Sequence, residues 1–181
     1  MPTASKGQFF ILGALLILSL MVIGASYQPL TNPRPLAAAS DNLQRELPRA
    51  YNLGLTQGNG PGALADFTAF LQDGLGSRSI SMQAAWLAAM PGNGEVNFVV
   101  GNFLGKPVDF SLNAAGQSWS GRLEDKATFS AELATLADVL AINLTVNGRE
   151  QQLEWRADKA NIYAFYALLA DQGNIYGEVS G

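Results

Sequence analysis

Polar and apolar positions follow three different rules along this chain. From Gln8 to Ser26, QFFILGALLILSLMVIGAS, there is no period at all. The stretch carries no charge, and its only polar side chains are Gln8, Ser19 and Ser26. A helix of that length, at about 1.5 Å per residue, just spans a bilayer core of about 30 Å. A buried helix of a soluble domain would show a polar stripe, and this one shows none. The pattern predicts a membrane helix over 8–26. A cleaved secretory signal is the alternative, with a cut at Ala25-Ser26, although such signals usually have an apolar region of only about 7–15 residues.

A helical period comes next. Tyr27 to Pro35, YQPLTNPRP, is proline-rich and reads as a linker that ends the first helix, with Tyr27 at the membrane interface. Ser40-Asp41 offers an N-cap ahead of Leu43, Leu47 and Ala50-Tyr51, which share one helical face. Pro48 is expected to kink or end that helix. The glycines of Gly54 to Gly62 make a break. Helical spacing resumes over Ala63 to Leu75, with Leu64, Phe67, Leu71 and Leu75 on one side. Two short amphipathic helices covering a sheet are the expectation.

From Ser79 the period falls to two. Ile80, Met82, Ala84 and Trp86 alternate with more polar or smaller positions, as in a half-buried strand, with an Ala-rich helix as the alternative. Pro91-Gly92-Asn93-Gly94 turns the chain into Val96, Phe98 and Val100. Further strands are expected at Val108 to Leu112, at Thr128 to Leu133 and through Ile142, Leu144 and Val146. Asn147-Gly148 suits a type I′ hairpin turn, since both central residues of that turn need positive φ. The return strand would pass through Gln151, Leu153 and Trp155. Ile162 to Leu169 and Ile175 to Val179 complete the set. Helices first and closely spaced strands afterwards predict an α+β domain with an antiparallel, sandwich-like sheet region.

Composition narrows the function classes. Removing the first 26 of 181 residues leaves enough chain for one domain with its own core. Of 11 basic residues only Lys6 precedes the apolar stretch, so the remainder carries 10 against 15 acidic residues. An acidic domain without clustered Lys and Arg argues against nucleic acid as a partner. The chain has neither cysteine nor histidine. That removes thiolate chemistry, Ser–His–Asp constellations and the commonest metal ligand. Lys6 ahead of the apolar stretch and a large acidic region behind it favour an inside N-terminus and an outside C-terminal domain.

Lys6-Gly7-Gln8, followed directly by the long apolar run, resembles the leader of prepilin-type (class III) signal peptides, in particular those of archaeal pilin-like proteins. The likeness covers about the first 20 residues and its diagnostic part is three. It implies cleavage between Gly7 and Gln8 by a dedicated peptidase. The helix would then stay on the mature protein, in the membrane or in a filament core. Many pilins carry glutamate at the fifth mature position, where this chain has Leu12. The resemblance therefore speaks more directly to processing than to filament assembly.

Candidate sites are few. Asn143-Leu144-Thr145 is an N-glycosylation sequon on the polar side of its strand, which places Asn143 as the acceptor if the domain lies outside the cell. Glu124-Asp125 with Asp138 or Asp158 could supply a calcium site from loops, though no Asp-rich calcium loop is present. A glycosidase-like carboxylate pair would have to come from Glu124, Glu132, Glu150 and Glu154. Trp86, Trp119 and Trp155 suit a ligand platform less well than a core, with Trp119 the most exposed of the three. Gly58 to Gly62 lacks the Lys-Ser/Thr of a phosphate loop and reads as a turn.

The expectation is therefore a leader over 1–7, a transmembrane or filament-core helix over 8–26, a linker over 27–39 and one extracytoplasmic helix-plus-β domain over 40–181. Such a chain would be a single-pass membrane protein, held in the lipid bilayer by Gln8–Ser26. It would act in assembly or adhesion at the cell surface, by self-assembly or with other surface proteins. The alternative is an anchored binding or accessory module that does not polymerise. No catalytic residue, metal site or cofactor is expected, and the chain is not read as an enzyme.

Overall fold

The computed structural model describes residues 34–178, apart from 78, 135–136, 157 and 172–173. The leader, the apolar stretch and residues 27–33 lie outside the described residues. Within them stand two helices and nine strands, forming an α+β fold with two sheets. The described residues divide into two compact units, the first running to Met82 and including Leu168–Gly177, the second holding Gln83–Ala167 and Glu178.

The first unit is organised by a helical hairpin. Helix α1 (Arg34–Thr56) buries Leu36, Ala39, Ser40, Leu43, Leu47, Ala50 and Tyr51, a stripe with a period near 3.6. The expected N-cap at Ser40 is overturned, because Ser40 is an interior, buried position. Residues 34–39, expected as linker, are the helix's first turns. Pro35 is tolerated there because first-turn N–H groups have no intrahelical acceptor. Pro48 sits inside the helix without ending it. Its missing donor typically costs about 3 kcal/mol, and the buried faces on both sides of it offset that loss.

Helix α2 (Gly60–Gly76) packs on α1 and buries Ala63, Leu64, Phe67, Leu71 and Leu75. The break between them is three residues long, shorter than the glycine-rich stretch suggested. Gly58 N–H donates to Leu55 O and Asn59 N–H to Gly54 O, at 3.0 and 2.9 Å, which is the Schellman pattern. Gly58, at φ 77°, supplies the left-handed residue that pattern requires. Asn59 closes one helix and caps the next, since its Oδ1 accepts from Gly62 N–H at 3.1 Å. Gly54 lets the hairpin close: a Cβ there would stand 2.4 Å from Ala63 Cβ.

The strands form a β-sandwich. Strands β1 (Ser81–Pro91), β2 (Glu95–Phe103), β3 (Val108–Ala114), β4 (Gln117–Leu123), β5 (Ala127–Ala134), β6 (Val139–Val146), β7 (Arg149–Arg156), β8 (Asn161–Asp171) and β9 (Asn174–Glu178) make two sheets. Of these, β2 to β7 lie wholly in the second unit. Their orders are β5-β2-β1-β8-β9 and β4-β3-β6-β7. The pairs β1–β2, β2–β5, β3–β4, β3–β6 and β6–β7 are antiparallel. Leu87 and Phe98 from one sheet meet Leu112, Ile142, Leu144 and Trp155 from the other in one core. Phe98 and Trp155 cross it edge to face, with ring centroids 6.3 Å apart.

Two strand expectations need correction. The alternation at the start of β1 suggested a half-buried strand, yet positions 84 to 89 are buried on both faces. Ile80 lies just before the strand. β4 was not expected, and it completes the hairpin that Ala115 and Gly116 turn, both at positive φ. The Asn147-Gly148 turn adopts positive φ at both residues, as the sequence requires, and returns the chain in the register Val146↔Arg149.

Candidate functional site

The outward face of the four-stranded sheet is built by simple alternation. Leu112, Ile142, Leu144 and Leu153 point into the core, so their neighbours point away from it. Register then aligns Ser118, Asn113, Asn143 and Gln152 in one row across the sheet, and Ser120, Ser111, Thr145 and Glu150 in the next. These two rows are a ladder of hydroxyls and amides that ends in Glu150 on β7, and Asp109 and Arg122 face each other in the row beyond.

Asn143 lies exposed near the middle of that ladder, and Leu144 between the two sequon residues is fully buried. Gly7 and Gln8, the expected processing site, lie outside the described residues. The calcium candidates are not brought together. Asp125 Oδ1 accepts from Gly105 N–H at 2.8 Å, tying the β4–β5 turn to the loop after β2. Glu124 stands 4.0 Å from Arg122 and Asp158 3.8 Å from Arg156. Among the described residues no group of three or more acidic side chains is placed to hold a metal ion.

Of the carboxylate candidates, Glu150 and Glu154 do not form a pair. Glu150 and Glu154 share the outward face of β7, four residues and thus about 13 Å apart along the strand, beyond the about 5–9.5 Å that paired glycosidase carboxylates need. Glu132 belongs to β5 in the other sheet. Trp86 and Trp155 are core residues, at 2 % and 1 % exposure, while Trp119 is half-buried at the margin of the core. They form no common platform.

Two features were not visible in the sequence. The first is an open cleft of about 290 Å³ lined by Gln83, Leu104, Gly105, Lys106, Val146, Asn147 and Arg149. It brings two cations together in an acidic chain. No local pattern signals it, because the lining comes from three separate segments.

The second is the outer edge of β4, which pairs with no further strand among the described residues. Strands β4 and β7 bound their sheet, and β7 carries Arg149, Glu150, Glu154 and Arg156 along its edge. Charges of this kind discourage pairing with a foreign strand. β4 has one charged residue, Arg122, which faces Asp109 across the β3–β4 ladder. Its edge is therefore close to neutral, and it contains no proline.

Searches against protein-family models, curated proteins and solved structures found no match for this chain.

Proposed function

We propose that the chain is a membrane-anchored surface protein with a pilin-like leader, acting in extracellular assembly or adhesion. The observation that carries this reading is the uncharged stretch Gln8–Ser26 directly behind Lys6-Gly7. The neutral β4 edge and the polar outward sheet face support it, because they give the domain surfaces suited to another chain or to a glycan. Asn143, exposed on that face, serves as the glycan acceptor.

The alternative, an anchored binding module that does not polymerise, is favoured by the cleft at Lys106 and Arg149. Protease treatment of intact cells, followed by electron microscopy of sheared surface material, separates the readings. Assembly predicts a protease-accessible domain and polymers that contain the chain. An accessible domain found only as monomers favours the module, and a domain protected in intact cells contradicts both. Asn143→Gln should abolish a glycan-dependent mobility shift.

A further inference from the structure

We infer that β4 is a self-pairing edge: two copies of the chain join through antiparallel β4–β4 contact centred on Ser120, which fuses the two four-stranded sheets into one of eight strands. This rests on the surface-assembly reading above and names the partner as a second copy.

In an antiparallel pair, directly opposite residues point to the same side, so a strand can pair with itself only in registers that keep inward positions opposite inward ones. In β4 the outward positions are Ser118, Ser120 and Arg122, and the inward ones Gln117, Trp119, Gly121 and Leu123. Centring the twofold on Ser120 satisfies that condition and uses all seven residues. Ser120 meets Ser120 of the second copy, Ser118 meets Arg122, Gln117 meets Leu123 and Trp119 meets Gly121. No like charges face one another, and each Arg122 keeps Asp109 opposite it on its own β3.

The Trp119–Gly121 pair supplies the shape argument. The same pairing already exists inside the molecule, where Trp86 and Gly101 are directly opposite and the indole lies on the glycine. Gly121 is exposed, and a Cβ there would meet only the Phe110 ring, at 3.5 Å. That ring packs in turn on Phe129 with centroids 4.7 Å apart, so an indole laid over Gly121 would meet an aromatic pair. Trp119 is half-buried against the core and gains cover in the pair. An aromatic set against an edge glycine is a recognised way of stabilising strand pairs.

The edges of β7 and β5 fit less well. Self-pairing of β7 over its full length would set inward residues opposite outward ones and bring Arg149 against Arg156. β5 carries Glu132, whose ladder partner Asn97 leaves its charge unbalanced in an already acidic chain.

Because the chain has no cysteine, single substitutions report the contact cleanly. Opposite Cα atoms in an antiparallel pair lie about 4.5–5.5 Å apart, inside the range a disulfide spans. In full-length protein in its membrane, Ser120→Cys should oxidise to a disulfide dimer. Ser118→Cys and Arg122→Cys should each stay monomeric alone, being displaced from their own copies by about 13 Å, but cross-link when co-expressed. Ser130→Cys on β5 should stay monomeric. A Ser120→Cys chain that remains monomeric under oxidation overturns the inference, and so does a Ser118→Cys or Ser130→Cys chain that dimerises equally well. Membrane fractionation of the same samples tests the anchoring separately, so a failed cross-link in a membrane-bound chain rejects the β4 contact alone.

Discussion

The indole of Trp86 occupies the space where a side chain at Gly101 would begin. The two residues are directly opposite in the β1–β2 ladder, and a Cβ on Gly101 would lie 2.4 Å from Trp86 Cε2. Phe103 continues the arrangement, stacked on Trp86 with ring centroids 5.9 Å apart. The glycine is therefore a packing requirement, not a flexible point in the strand. Gly101→Ala is expected to destabilise the protein by about 1–3 kcal/mol, the usual cost of overpacking, read as a lower urea midpoint. Adding Trp86→Leu should reduce the penalty of Gly101→Ala, since the clash is with the ring. An unchanged penalty in the double variant would assign the cost to the strand backbone instead.

Asn102, fully buried, ties three segments together. Its Nδ2 donates to Lys106 O, Leu123 O and Glu124 O at 2.9–3.0 Å, and its Oδ1 accepts from Leu104 N–H at 3.1 Å. One amide thus pins the loop after β2 to the end of β4. Asn102→Leu keeps the volume but leaves these buried backbone groups without their partner, at about 1–3 kcal/mol for each group that water cannot reach. Thermal unfolding should show a loss of several degrees or more, with faster hydrogen exchange at the Leu104 amide. Wild-type exchange there would count against the network.

Tyr51 links stability to alkaline pH. At 1 % exposure on α1, its hydroxyl is pushed up by burial from 10.0 to about 12. The folded state therefore holds this proton more tightly than the unfolded state does. Its contribution is fully present below pH 10 and is lost as pH rises from about 10 through 12, a change on the order of 3 kcal/mol. Denaturation midpoints measured across that window should fall more steeply for the wild type than for Tyr51→Phe. Equal slopes would remove Tyr51 as the cause.

Much of the sandwich could be read directly where one face of a strand is wet. In β6 the buried Leu140, Ile142, Leu144 and Val146 alternate with exposed Val139, Ala141 and Asn143, so period, turn and return strand agree. β1 is not legible in detail, because burial on both faces erases that alternation. β4 carries little signal because an edge strand buries little: of its inward positions only Leu123 is buried, beside half-buried Trp119, a glycine and the exposed Gln117. The start of α1 was hidden by Pro33 and Pro35, which read as a linker although proline suits a first helical turn.

The site candidates divide in the same way. Asn143 could be placed on an outward face because strand period alone decides that position. The acidic candidates depended on which loops converge, and single-sequence spacing carries no such information. The Lys106–Arg149 cleft and the β4 edge have the same origin, since each is created by pairing between distant segments.

Everything proposed for this chain at a cell surface depends on what becomes of its first residues. The most direct measurement is the intact mass of the protein extracted from its native membrane, with sequencing of the N-terminal peptide. Cleavage between Gly7 and Gln8 should give a chain that begins at Gln8 and retains the whole apolar helix. A chain that begins at Met1, or one cut near Ser26 and released without that helix, would contradict the pilin-like reading.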